Sequence, residues 1–402
     1  MDYKGTLELN VWKKISKFRI TYLLSSINMI KKLPKAKICT LFITYGCNLN
    51  CVYCFEKYKD PQKVMSLDLA KEIIMKEFSQ VEASSVNDSL KIDLFGGEPL
   101  MNFKFIKDFS EWLWMQDIKI PYIIYATTNG TLLDKEKQEW FRKNKEEIVL
   151  VMSVDGDSAM QMKNRGCSTE KLPMEIAYEL WPDQPFKMTI SKYSIQDLAN
   201  GLINMVKQGY LVESRLAQGE NWEDGDAEVY RRELSKIARF YLDNPEYIPG
   251  SLFTRFYGDV LTSNTPLKFC GAGTNMIAYD IEGKTYPCHM FSPIVLGKDA
   301  RDDISQINFY NPDELIEESC LKCKMVRVCP SCIGYNYYQR GSVKKRDKSM
   351  CKLMLVEAQV ISAFQIEYYM RKKNVITEEE KVKLKAALYA YKSLIDFSFD
   401  NN

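Results

Sequence analysis

From Lys37 to about Gly219, short apolar runs alternate with amphipathic stretches of helical period. This alternation restricts the chain to α/β architectures, because a strand followed by a helix that returns to the same sheet edge builds parallel βα units. Strands are expected at 38–45, 90–95, 122–127, 148–153, 186–190 and 210–216. The best helical periods fall at 66–78, 103–115, 135–143 and 195–207. Six βα units make an incomplete barrel, a partial (βα)6 TIM barrel open on one side. In such folds chemistry gathers at the carboxyl ends of the strands. The first strand here runs into Cys47-Asn48-Leu49-Asn50-Cys51-Val52-Tyr53-Cys54. The second ends in Gly96-Gly97-Glu98-Pro99, the third in Thr128-Asn129-Gly130, and the fourth in Ser153-Val154-Asp155-Gly156. Turn chemistry explains each of these alone. Three of them on one rim, beside the loop of three thiols, point to a site.

At 402 residues the chain has room for two or three domains of ordinary size. Its net charge of +2 gives no global reason for a nucleic-acid partner. Residues 1–38 nevertheless carry nine Lys or Arg against Asp2 and Glu8, a basic arm that suits an acidic peptide, a membrane surface or simply a solvated face. The apolar stretch 20–30 is broken by Ser25, Ser26 and Asn28. It is too short to span a bilayer and lacks a secretory cleavage pattern. The chain therefore reads as cytoplasmic, without a membrane partner. Its twelve cysteines are then better explained by metal than by disulfides.

The cysteines are grouped. Cys47, Cys51 and Cys54 follow the first strand, seven lie between 270 and 351, and only Cys39 and Cys167 stand apart as small buried hydrophobes. Three thiolates at CxxxCxxC spacing can hold three irons of a four-iron cluster and leave the fourth open to chelation. A closed zinc site needs four ligands, and the only histidine is His289.

The CxxxCxxC loop with Tyr53, followed by Gly96-Gly97-Glu98-Pro99, resembles the radical S-adenosylmethionine (SAM) enzymes. The resemblance implies a four-iron cluster on Cys47, Cys51 and Cys54, with the methionine end of SAM on the open iron. It places Tyr53 against the adenine, Gly96, Gly97 and Glu98 at the SAM ammonium, Asn129 among the SAM contacts, Ser153 near the ribose or methionine, and Arg165 on the SAM carboxylate. Arginine suits that last task because its fork can bind a carboxylate through two hydrogen bonds.

The second field of cysteines resembles a SPASM domain, an auxiliary iron–sulfur extension of peptide-modifying members, with Gly283 at the family's position five residues before Cys288. Position by position this implies one cluster on Cys320, Cys323, Cys329 and Cys351, and another on Cys270, Cys288 and Cys332 with its fourth ligand open, hence three [4Fe–4S] clusters in all. The Cys329–Cys332 spacing is shorter than the family's usual one, which leaves the ligand partition open. A zinc site on Cys320, Cys323, Cys329 and Cys332 is the alternative. His289 stands where the sulfatase-maturating branch carries an aspartate base, and it can itself serve as a base or as packing. Tyr335, Tyr337 and Tyr338 read as core or groove lining.

The resulting division is 1–38 basic arm, 39–219 radical SAM barrel, 220–265 helical bridge, 266–355 SPASM domain and 356–402 C-terminal helices. The implied function is a radical SAM peptide maturase acting on a ribosomally synthesised precursor peptide, fed by a reductant such as flavodoxin or ferredoxin, and forming a thioether, ether or C–C cross-link or another oxidised residue. A maturase of a folded enzyme, as in sulfatase activation, and a metal-stapled binding module without turnover are the rivals. Only 38 residues precede the barrel, so the arm, through Lys31, Lys32, Lys35 and Lys37, is the expected substitute for a leader-binding domain.

Overall fold

The computed structural model describes residues 33, 35–261, 267–297, 302–372 and 376–399. It is an α/β fold with a mixed sheet. Strand β1 (Ala36–Tyr45) is followed by an antiparallel partner β2 (Asp60–Val64), helix α1 (Leu67–Glu82), β3 (Ser89–Gly96), α2 (Phe103–Trp114), β4 (Tyr122–Thr128), α3 (Lys135–Lys143) and β5 (Ile148–Met152). Then come α4 (Ser158–Arg165), α5 (Met174–Leu180), β6 (Phe186–Ile190), α6 (Leu198–Lys207) and β7 (Val212–Leu216). All six expected strands form, every end within two residues of the expected bounds; the last starts at Val212 and not at 210. Polar caps set the helix starts: Ser66 accepts from the Leu69 amide, Asp134 from Lys137 and Asp157 from Met160.

Strands β1, β3, β4 and β5 are parallel neighbours, as are β6 and β7. A single parallel bridge, Ser153 with Lys187, joins the two groups. Alternation along β3, β4 and β6 sorts the side chains. Ile92, Leu94, Ile124, Ala126, Met188 and Ile190 are buried in the main core, whereas Lys91, Phe95, Tyr125, Thr127, Lys187 and Thr189 on the other face stay partly accessible.

The β1 edge departs from the sequence reading, which leaves the array open there. Strand β8 (Met276–Tyr279), from the cysteine-rich region, pairs in parallel with β1, and β9 (Thr285–Tyr286) pairs with β8. The turn between them needs Gly283, whose φ of +81° is in the left-handed region. Asp280 closes that turn by accepting from the amides of Glu282 and Lys284. It delivers Cys288 just past β9. Gly283 thus makes a turn that places a thiol.

The bridge is also more than a spacer. Helix α7 (Asp224–Asp243) packs against α9 (Cys351–Arg371), which also packs against α10 (Glu378–Leu394); α8 (Ile333–Arg340) lies between the last cysteine groups. Buried Glu357 of α9 accepts from Tyr230 (2.6 Å), Tyr257 (3.0 Å) and Arg255, tying residues 230–257 to the C-terminal helix. Residues 348–371 are long and apolar enough to cross a membrane by length and composition, yet Leu353, Ala358 and Ile361 are fully buried in the core.

Of the basic arm, Lys31 and Lys32 lie outside the described residues. Lys35 is exposed, whereas Lys37 reaches buried Glu77 at 2.7 Å, which also accepts from Tyr279 at 2.7 Å. Lys37 is therefore a structural cation and not part of a free docking patch.

Candidate active site

The thiol loop leaves β1 at Gly46, and the rim motifs hold it in place. The Glu98 amide donates to the Gly46 carbonyl at 2.8 Å. A Cβ on Gly97 would lie 2.3 Å from that carbonyl oxygen and 2.8 Å from the Cys47 Cβ, and one on Gly96 would lie 2.2 Å from the Thr44 carbonyl oxygen. The close approach that these glycines permit is thus to the loop itself.

Glu98, only 1% exposed, accepts from the Leu100 amide (3.0 Å), Thr128 Oγ1 (2.6 Å) and the Asn129 amide (2.7 Å). A carboxylate has about four acceptor sites, so most of its capacity is used within the rim. Asn129 Nδ2 donates to Asn48 Oδ1 at 3.0 Å, and Asn48 donates to Thr131 at 2.8 Å. Asn129 therefore fastens β4 to the residue after Cys47.

Arg165 also departs from its expected partner. The structure turns its fork to Asp155, with Nε 2.9 Å from Oδ2 and NH2 3.2 Å from Oδ1, both side chains buried. Asp155 further accepts from Tyr53 (2.5 Å), Asn164 (3.1 Å) and the Thr189 amide (2.8 Å). The guanidinium lies over the Tyr53 ring, 5.6 Å from its centroid. Tyr53 is thus clamped by Asp155 and Arg165, and the Val52 amide donates to the Asn164 carbonyl at 2.9 Å. Asp155 is the residue that motif reading overlooks. Ser153, 8% exposed, sits at the β5–β6 bridge, its amide donating to the Thr128 carbonyl at 2.8 Å.

All twelve cysteines are free thiols. Those of the loop are partly accessible, and Cys51 is pushed up to about 11 by burial first, with Arg165 opposing and the Cys54 and Cys47 thiolates adding to the rise. Seven further thiols fall into two groups. Burial pushes Cys329 up to about 12, Arg346 opposing and Cys351, Cys323 and Cys320 reinforcing; these four line one cavity. Burial also raises Cys288, reinforced by Cys332 and Cys270. Cys332 is pushed up to about 11, again by burial and by Cys270. It belongs with Cys270 and Cys288 and not with the Cys320 group, which removes it from the four-thiolate zinc alternative. Among the described residues no three His, Cys, Asp or Glu side chains converge on a single ion. Ten thiols in a loop triad, a second triad and a tetrad are a donor set that suits iron–sulfur clusters, which are held by thiolates.

His289 packs between Phe95 (centroids 4.9 Å apart, stacked) and Phe55 (5.6 Å). Desolvation, and secondarily the charge of Lys187, push its imidazole down to about 4. At neutral pH it is an uncharged ring. Tyr335 meets Phe55 edge-on at 6.3 Å and is close enough to Cys332 and Cys54 to feel both. Tyr337 donates to Asp303 at 2.6 Å and packs on Phe291, so it belongs to the core, while Tyr338 lies against Tyr335.

The radical SAM superfamily model matches residues 41–172, which span the thiol loop and all the rim motifs. Over these residues the chain carries a radical SAM domain. It is 22% identical over 378 residues to the radical SAM cyclopropyl synthase TigE of Paramaledivibacter caminithermalis, covering 87% of this chain and 78% of that protein. It is 23% identical over 320 residues to a cysteine-type anaerobic sulfatase-maturating enzyme of Clostridium perfringens, covering 71% and 85%. In fold it resembles the structure of anSMEcpe with bound AdoMet at a TM-score of 0.60, with 17% identity and coverage of 87% and 98%. Streptococcus suis SuiB bound to its precursor peptide SuiA matches at 0.51, with 15% identity and coverage of 79% and 76%. The radical SAM match supports SAM and an iron–sulfur cluster for this chain.

Proposed function

We propose that this radical SAM enzyme is a peptide maturase with a partial (βα)6 barrel over about 39–219, a helical bridge over 220–265, a SPASM domain over 266–355 and C-terminal helices over 356–402. Cys47, Cys51 and Cys54 would hold the cluster that binds SAM; Cys270, Cys288 and Cys332 would hold one auxiliary cluster, and Cys320, Cys323, Cys329 and Cys351 the other. The SAM-loaded cluster supplies, on one-electron reduction, a 5′-deoxyadenosyl radical able to remove a substrate hydrogen.

The chain's own residues do the rest. Asp155 and Arg165 fix Tyr53, and Glu98 and Asn129 fix the Cys47 side of the loop, so the thiols meet their irons in a preset geometry. Ser153, Gly96, Gly97 and the remaining lone pair of Glu98 face the SAM methionine in this reading. His289, uncharged and held between two phenyl rings, shapes and dries the space where the substrate hydrogen is taken; a ring pushed down to about 4 is a weak proton acceptor, so its role is orientation more than base catalysis. The substrate is a ribosomal precursor peptide, the reductant a flavodoxin or ferredoxin, and the setting cytoplasmic.

The observation that carries this reading is the segregation of ten thiols into a loop triad, a second triad and a tetrad. The relatives named above supply the peptide and protein class of substrate. Anaerobic reconstitution followed by dithionite and SAM should release 5′-deoxyadenosine, and a short reading frame beside the gene is expected to encode a precursor peptide whose mass changes on incubation. Deoxyadenosine without any mass change in the peptide, but with conversion of a sulfatase serine or cysteine, would establish the sulfatase-maturing alternative instead.

A further inference from the structure

The cavity walled by Cys320, Cys323, Cys329 and Cys351 carries one charge that nothing around it matches. Thiols apart, only Arg346 and Asp347 of its lining are charged. Asp347 is turned to other partners: Oδ1 accepts from the Ser349 amide (3.1 Å) and hydroxyl (2.7 Å), and Oδ2 lies 3.7 Å from Arg340 NH1. The carboxylate behind the wall, Glu317, pairs with Lys348 at 2.6 Å and accepts only the backbone amide of Arg346, at 3.3 Å. The Arg346 guanidinium is left with a neutral acceptor, the Cys329 carbonyl, 3.2 Å from NH1. It is 8% exposed, and among the described residues no carboxylate forms an ion pair with it.

A guanidinium has five N–H donors and keeps its charge at every pH the protein meets. Buried against a single carbonyl it is costly, unless an anion fills the space beside it. Four thiolates around a four-iron cluster form such an anion, and the cavity that Arg346 lines is where the four meet. Two N–H groups also reach the sulfurs directly: Lys348 Nζ donates to Cys320 Sγ at 3.2 Å, and the Met325 amide to Cys323 Sγ at 3.4 Å. Each electron added to a thiolate-held cluster makes it more negative. A fixed cation beside it, like a hydrogen bond to its sulfurs, therefore favours the reduced form.

We propose that Arg346 is the counter-charge of the iron–sulfur cluster on Cys320, Cys323, Cys329 and Cys351, and that it raises this cluster's reduction potential above the value the same four thiolates give beside a neutral side chain. This rests on the cluster reading above and adds to it a positioning residue that ligates nothing. Lys348 acts in the same direction but more weakly, because Glu317 offsets its charge and its side chain is half-exposed.

The test is a dithionite titration of the reconstituted holoenzyme followed by electron paramagnetic resonance. Iron and sulfide analysis of the wild type comes first. Three four-iron clusters require about twelve irons per chain, and a shortfall of one cluster with zinc in its place refutes the cluster reading itself, and the proposal with it. With three clusters present, Arg346→Gln should lower the midpoint of one wave by at least about 59 mV, a tenfold change in its reduced-to-oxidised ratio at fixed poise. The wave that responds to added SAM should stay in place. Arg346→Lys should recover most of the shift, and Lys348→Gln should move the same wave down by less. Unchanged midpoints in Arg346→Gln at full iron content overturn the proposal, as does an equal shift in Arg346→Lys, which would assign the effect to packing and not to charge. Should Arg346→Gln take up one cluster fewer, Arg346→Lys decides: full iron with wild-type midpoints supports the counter-charge, and the same loss of iron overturns it.

Discussion

Asp155→Asn is the sharpest perturbation of the rim. The substitution keeps the shape of the side chain but removes the charge opposite Arg165, which is 9% exposed and has no other carboxylate in contact among the described residues. It also turns an all-acceptor group that receives Tyr53, Asn164, Arg165 and the Thr189 amide into one that is half donor. Leaving one member of a buried pair uncompensated costs about 3–5 kcal/mol. With an unfolding entropy of about 2.1 cal/mol/K per residue over 402 residues, that cost lowers the melting temperature by roughly 4–6 °C. Anaerobic thermal and urea unfolding of the reconstituted enzyme reads it. The double variant Asp155→Asn, Arg165→Met should recover most of the loss, because the stranded charge goes with the arginine. A loss under about 1 kcal/mol, the worth of a solvent-screened pair, or a double variant no more stable than the single one, would refute the reasoning.

Gly97→Ala should keep the fold but shift the loop, since the new Cβ would sit 2.3 Å from the Gly46 carbonyl oxygen; iron and sulfide analysis after reconstitution should show about one four-iron cluster fewer per chain. Lys37→Glu should cost several kcal/mol by stranding buried Glu77, whereas exposed Lys35→Glu should change stability by about 0.5 kcal/mol or less, so urea unfolding separates the two. Asp93, facing Thr40, Tyr125, Cys39 and Lys187, binds its proton more tightly folded than unfolded. Its contribution to stability is therefore full below about pH 4 and declines as pH rises to about 7, by no more than about 4 kcal/mol. Asp93→Asn should remove that slope from the stability–pH profile measured by urea unfolding, and an unchanged slope would count against the assignment.

Much of the fold was legible because strands such as β4 and β5 are nearly continuous apolar runs and β6 and β7 alternate apolar with polar residues, and such patterns report burial directly. The β8–β9 hairpin was not, since Met276–Tyr279 is four residues long and its pairing with β1 is set by a contact more than two hundred residues away in sequence. Helix α4 escaped for another reason. Its sequence, from Ser158 to Arg165, is too polar to show a face, because apart from buried Met160 its inner side is spent on hydrogen bonds from Asn164 and Arg165. At the site, spacing suggests which cysteines act, and the structure sets Cys332 beside Cys270 and Cys288. What spacing could not reveal is competition among partners. Arg165 matches a carboxylate fork, and only the fold shows that Asp155 of the same chain occupies it.

That competition alters what the rim motifs are for. Glu98, Asn129, Arg165 and Tyr53 each spend their polar groups on one another or on the cysteine loop. They act first as a mount, joining the ends of β3, β4 and β5 to the loop from both sides. A cluster bound by three short-spaced thiolates has little rigidity of its own in the chain, so the position of its open iron relative to the substrate depends on that mount. Damage to Asp155 or Asn129 should therefore reach the chemistry as misplacement. It should lower the yield of modified peptide per 5′-deoxyadenosine released, even where cluster content is intact. Radical formation uncoupled from product is the signature that separates a mount from a ligand contact, because loss of a SAM contact would reduce deoxyadenosine itself.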